Sequence, residues 1–84
     1  MIRNPSLKLK QIAVKTITNG IQIITISDIL YLKSESRNTI INLENKKKVS
    51  ASKSIGSYEI LLKNSEFLRV HKRYIVNLEH LISI

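Results

Sequence analysis

The 84-residue sequence has no cysteine, no tryptophan, one proline, two glycines and a single aspartate. Without cysteine there is no disulfide framework, no thiolate metal site and no thiol nucleophile. With only Gly20 and Gly56, a glycine-rich phosphate loop cannot be assembled. No apolar run approaches the ~18 residues of a membrane-spanning helix. Polar residues interrupt the first eight positions, so the apolar stretch of a signal peptide is missing too. Catalytic groups are equally scarce. His71 and His80 are the only imidazoles and lack a third ligand for a metal. Asp28 and the five glutamates fall mainly in turns or at exposed positions, where solvated carboxylates do no acid–base work. The expectation is a single cytoplasmic domain, not an enzyme, with no cofactor, no metal and no membrane partner.

What the chain does have is positive charge and isoleucine. Fourteen Lys and Arg against six Asp and Glu leave a net charge of +8, and fifteen residues are isoleucine. Apolar residues make up 43% of the sequence, enough for a folded core and too much for a disordered tail. So dense a positive field attracts polyanions such as DNA or RNA. The plainer explanation, that the charge only keeps a small domain soluble, does not account for its sign. The cations also cluster: Arg3, Lys8, Lys10 and Lys15, then Lys46 to Lys48 with Lys53, then Arg69, Lys72 and Arg73.

Period-two alternation dominates the local pattern and predicts short strands. They fall at residues 11–17, 21–26, 29–33, 39–43, 47–51, 67–70, 74–76 and 81–84. Ile12 and Val14 are expected to point inward, as are Val49 and Ala51. Asn19 and Gly20 mark a hairpin turn, because both tolerate positive φ. Residues 34–38 read as a loop. One segment differs: Ile55, Tyr58 and Leu62 recur at helical spacing, with Ser54 as a candidate N-cap. The fold class expected is mostly β with one short helix. Tyr31, Tyr58, Phe67 and Tyr74 mostly occupy positions that look like core.

The most informative stretch is Phe67-Leu68-Arg69-Val70-His71-Lys72-Arg73-Tyr74-Ile75-Val76-Asn77. Three cations and an imidazole lie within five residues, between two apolar runs. A tight basic turn held by strands can present rigid donors to phosphates and base edges. His71 could equally be a core histidine bonded to a carbonyl, and Arg69 a structural ion-pair partner. The pattern Phe67-x-Arg69-x-His71-Lys72-x-Tyr74-Ile75-Val76-Asn77 resembles the hallmark of the LytTR DNA-binding domain. Residues 28–32 resemble the strand ahead of that family's first recognition loop. The helix at 54–62 falls where the family has its short helix, and the likeness runs over residues 8–84.

The resemblance implies an elongated arrangement of short antiparallel strands, the output domain of a bacterial response regulator in a two-component system. Such domains read duplex DNA through loops, in successive major grooves across a minor groove. One reading position falls among Ser36, Arg37 and Asn38, and a second at Lys72, directly after the hallmark His71. Arg73 stands where the family usually has serine and adds a charge. Lys47, Lys48 and Arg69 complete the DNA-binding candidates. The implied partner is promoter DNA with direct repeats, bound as a homodimer. Family domains continue past the equivalent of Ile84 with a hairpin and a basic segment, and many carry a receiver domain. The expectation is therefore one domain over residues 1–84, C-terminally truncated, with residues 1–8 as a flexible arm. The alternatives are a basic β-domain binding RNA or single strands, and a protein-interaction module.

Overall fold

A computed structural model describes residues 10–82, so the arm expected at residues 1–8 lies outside the described residues. The chain runs β1 (Gln11–Lys15), β2 (Ile21–Thr25), a 3-10 turn (Ile26–Asp28), β3 (Ile29–Glu35), β4 (Asn38–Leu43) and β5 (Lys48–Ala51). It continues through α1 (Ile55–Leu61), β6 (Phe67–His71), β7 (Tyr74–Asn77) and α2 (Leu78–Ile82). β1 and β2 form a two-stranded ribbon. The other strands form a sheet ordered β5-β4-β3-β7-β6, with every pair antiparallel. The molecule is elongated, 42 × 29 × 24 Å.

Alternation places the core. Ile12 and Val14 of β1 are buried and their neighbours exposed, as period two requires. Leu32, Ile41, Val49, Ala51 and Ile75 form the inner face of the large sheet. They share one apolar cluster with the ribbon's Ile12, Val14 and Ile24 and with Ile55, Tyr58 and Leu62 from the helix segment. The ribbon is tied to β5 by the Ile17 N–H on the Ser50 carbonyl, 3.0 Å, and the Ser52 N–H on the Lys15 carbonyl, 2.9 Å.

Several turns differ from expectation. The β1–β2 connection closes over Ile17, Thr18 and Asn19, with the Thr16 N–H on the Gly20 carbonyl. Only Asn19 is left-handed, at φ 69°. The expected loop at residues 34–38 shrinks to Ser36 and Arg37, because β3 and β4 stay paired out to Glu35 and Asn38. Ser54 occupies the N-cap position of α1, but its hydroxyl makes no cap hydrogen bond; its carbonyl accepts the Ser57 N–H at 3.1 Å instead.

Two further expectations fail. The strand expected at 81–84 is replaced over its described residues by helix α2. Asn77 causes the switch, since its Oδ1 accepts the Glu79 N–H at 3.0 Å and so satisfies a first-turn donor of the helix. The aromatics also divide: Tyr58 is core and Phe67 packs on its border. Tyr31 and Tyr74 instead lie on the outer face of the sheet, because each pairs within the ladder across from Val76 and Lys33 rather than from inner-face residues. Their ring centroids are 6.3 Å apart.

Candidate nucleic-acid interface

β6 and β7 are joined by the two-residue turn Lys72-Arg73, closed by the pair His71 and Tyr74. The pairing slips between Arg69 and His71, a bulge at Val70 that bends the strand and re-aims the side chains beyond it. Three contacts then hold the turn. Arg69 donates through Nη2 to the Lys72 carbonyl at 2.6 Å. The Ser34 N–H of β3 donates to the Arg73 carbonyl at 2.8 Å. His71 Nδ1 accepts the Arg73 N–H at 3.1 Å, which requires the neutral ring with its proton on Nε2.

Arg69 is braced in turn. Its cross-strand partner is Ile75 of the inner face, so its side chain reaches under the sheet toward α1. There Nη1 meets Glu59 Oε1 at 2.6 Å. The guanidinium thus links the helix to the Lys72-Arg73 turn, and its charge is paired with Glu59. By contrast, Lys72 and Arg73 are exposed, and no described residue bonds their side chains.

β3 runs antiparallel to β7, with Lys33 opposite Tyr74. The β3–β4 turn at Ser36 and Arg37 therefore emerges from the same end of the sheet as Lys72 and Arg73. Ser36 takes a left-handed φ of 58°, which costs about 1 kcal/mol for a non-glycine residue. Asn38 closes this hairpin opposite Glu35. Lys53 joins the same end, because the buried Thr39 hydroxyl donates to its carbonyl at 2.8 Å. Sequence order alone left Lys53 out. Its signal was its place just past a strand that pairs with β4. Glu35 is the acid beside these cations.

Lys47 and Lys48 are not brought into this group. They lie where β5 begins, at the opposite end of β4, roughly 17 Å away along the strand. That end is closed by contacts of its own. His80 Nε2 lies 2.7 Å from the Ser27 carbonyl and 3.4 Å from Glu44 Oε2. Asn77, only 2% exposed, donates through Nδ2 to the Ile29 carbonyl at 2.9 Å.

The described residues hold no cluster of three metal-ligating side chains. No described helix is long and apolar enough to cross a membrane. What this end of the sheet offers is two short turns bearing exposed cations that no described residue pairs.

Comparison with known proteins decides the family. The family model of the LytTr DNA-binding domain matches residues 19–84. The chain belongs to the LytTR DNA-binding family. Its fold agrees with a solved structure, the LytTr DNA-binding domain of a protein described as a putative methyl-accepting/DNA response regulator from Bacillus cereus. The TM-score is 0.67 at 32% identity, over 86% of this chain and 64% of that one, less than two thirds of its length. No curated protein matches. LytTR domains are DNA-binding modules typical of response-regulator transcription factors, and not enzymes.

Proposed function

We propose that this LytTR domain binds duplex DNA sequence-specifically, as the output domain of a cytoplasmic bacterial response regulator, and that its two co-located turns are the reading elements. The observation that carries this is their shared end of the sheet, where no described residue bonds the Arg37, Lys72 or Arg73 side chains while the Lys72 and Arg73 carbonyls are held. Rigid presentation lowers the ordering cost of each base contact. Lys72 and Arg37 suit guanine O6 and N7, Ser36 and Asn38 either base edge, and Arg73 a phosphate. His71 and Arg69 act as positioning residues for the turn.

Strand spacing sets the footprint. The two hairpins are centred two strands apart and staggered by two residues, which separates Arg37 from Lys72 by about 12 Å. A helical turn of DNA is about 34 Å. The two turns would therefore enter one major groove, itself about 12 Å wide, and a second major groove would need a further segment or a second copy, as on direct repeats. Lys47 and Lys48 are assigned to the phosphate backbone.

Selection of the 84-residue chain against a random duplex pool near physiological salt tests the proposal. One enriched motif is expected, and Lys72→Ala should cost roughly 1–3 kcal/mol on it. Equal losses on all sequences would reduce Lys72 to a phosphate contact, and binding without any motif would refute specific reading. A single-stranded ligand is the second reading, carried by the outer-face pair Tyr31 and Tyr74. Stronger binding to one strand than to the duplex would favour it.

A further inference from the structure

A groove of about 370 Å³ lies between the β1–β2 ribbon and α1, and neither reading turn lines it. Ala13, Ile21, Ile60 and Leu61 form its apolar surface, and Lys15 and Lys53 stand among them. Ile21 is 74% exposed and Ile60 76%. Ile23, 59% exposed, extends the patch because it pairs directly across from Ala13. Large aliphatic side chains gathered on one exposed surface mark an interaction site more often than chance.

We propose that this groove docks an acidic amphipathic helix of a partner protein. Charge complementarity selects that occupant. Both ionisable residues that can pair within the groove are lysines, and no carboxylate lines it. A helix with apolar anchors at i, i+3 or i+4 and i+7 would cover Ile21, Ile60 and Leu61. Carboxylates along its flanks would meet Lys15 and Lys53. A second copy of this chain fits poorly, because a two-fold contact sets each groove's lysines against their own copies and brings two +8 chains together. A small apolar ligand would leave Ile23 uncovered.

The probe is a designed helical peptide of about 18 residues, Leu and Ala on one face and Glu on the other, titrated into the ¹⁵N-labelled 84-residue chain. Saturable amide shifts are expected at Ala13, Ile21, Ser57 and Leu61. Ile60→Asp should weaken binding about tenfold or more, and Lys72→Ala should leave it unchanged. Ile60 is exposed, so circular dichroism should show that variant folded, and Ile21→Thr provides a second test from the ribbon side. A peptide with Lys in place of Glu should not bind. Shifts centred on Arg37, Lys72 and Arg73 would overturn the proposal in favour of general anion attraction, as would no shifts at all. Self-association abolished by Ile60→Asp would instead make the groove a homodimer face.

Discussion

Asn77 offers the sharpest test of how the far end of the sheet is held. Its amide does two jobs from a buried position. Nδ2 donates to the Ile29 carbonyl, 48 residues earlier in the chain, and Oδ1 accepts the Glu79 N–H at the start of α2. The Ile29 contact lies beyond the last β3–β7 pair, Tyr31 with Val76, so the side chain holds the two strands together where their ladder has ended. Asn77→Ala removes a cap worth about 1 kcal/mol. It also strips a donor from a buried carbonyl, at roughly 1–3 kcal/mol. The expected loss is about 3 kcal/mol, which lowers Tm by roughly 12–24 °C in a domain of this size.

Urea unfolding followed by circular dichroism measures that loss, with an unchanged m-value showing that the fold is otherwise kept. Asn77→Ser apportions it. A serine hydroxyl can still accept from the first turn of α2 but is too short to reach the Ile29 carbonyl. It should recover about 1 kcal/mol relative to alanine. An alanine variant within about 0.5 kcal/mol of the parent would refute the two-contact account, because neither bond could then carry weight.

Arg69→Leu should weaken DNA binding by loosening the Lys72 turn while leaving the salt slope unchanged; a slope reduced by about 0.9 would make Arg69 a phosphate contact in its own right. Gly56→Ala should stabilise the chain by about 1 kcal/mol, since an added Cβ there meets nothing closer than the Ser54 hydroxyl at 4.0 Å; a lower urea midpoint would contradict that open space. Burial raises the phenol of Tyr58 above the ordinary tyrosine range. Its contribution is thus fully present below about pH 10 and lost as pH rises through the folded-state value. Tyr58→Phe should flatten that part of the alkaline Tm profile, and an identical alkaline decline in both proteins would show that other groups cause it.

Much of this architecture is legible locally. Ile12 and Val14 announce an inward face by spacing alone, and Ile55, Tyr58 and Leu62 announce a helix the same way. What spacing cannot say is which face of a strand another layer covers. Tyr31 and Tyr74 alternate as core residues do, yet β3 and β7 pair so that both rings face outward. That pairing joins segments about 40 residues apart, and it also sets the β3–β4 and β6–β7 turns at one end of the sheet. The helix at Leu78 was hidden for a different reason. Residues 81–84 alternate like a strand, and only the side-chain contact from Asn77 to Glu79 turns the chain into α2.

The hallmark segment itself divides by task once its contacts are known. Phe67 and Ile75 pack against or within the core, Arg69 braces the turn against α1, and Asn77 anchors β7 to β3 and starts α2. His71 accepts a backbone N–H of its own turn. Among the segment's charged side chains, only those of Lys72 and Arg73 are exposed and bonded by no described residue. A motif made mostly of framework residues therefore locates an exposed basic turn without saying what it binds. On the proposed reading, the base-reading side chains that the fold does not need are Arg37 and Lys72, both exposed. Exchanging those two should change the preferred DNA site while leaving stability within about 0.5 kcal/mol, the range of surface substitutions that break no buried contact.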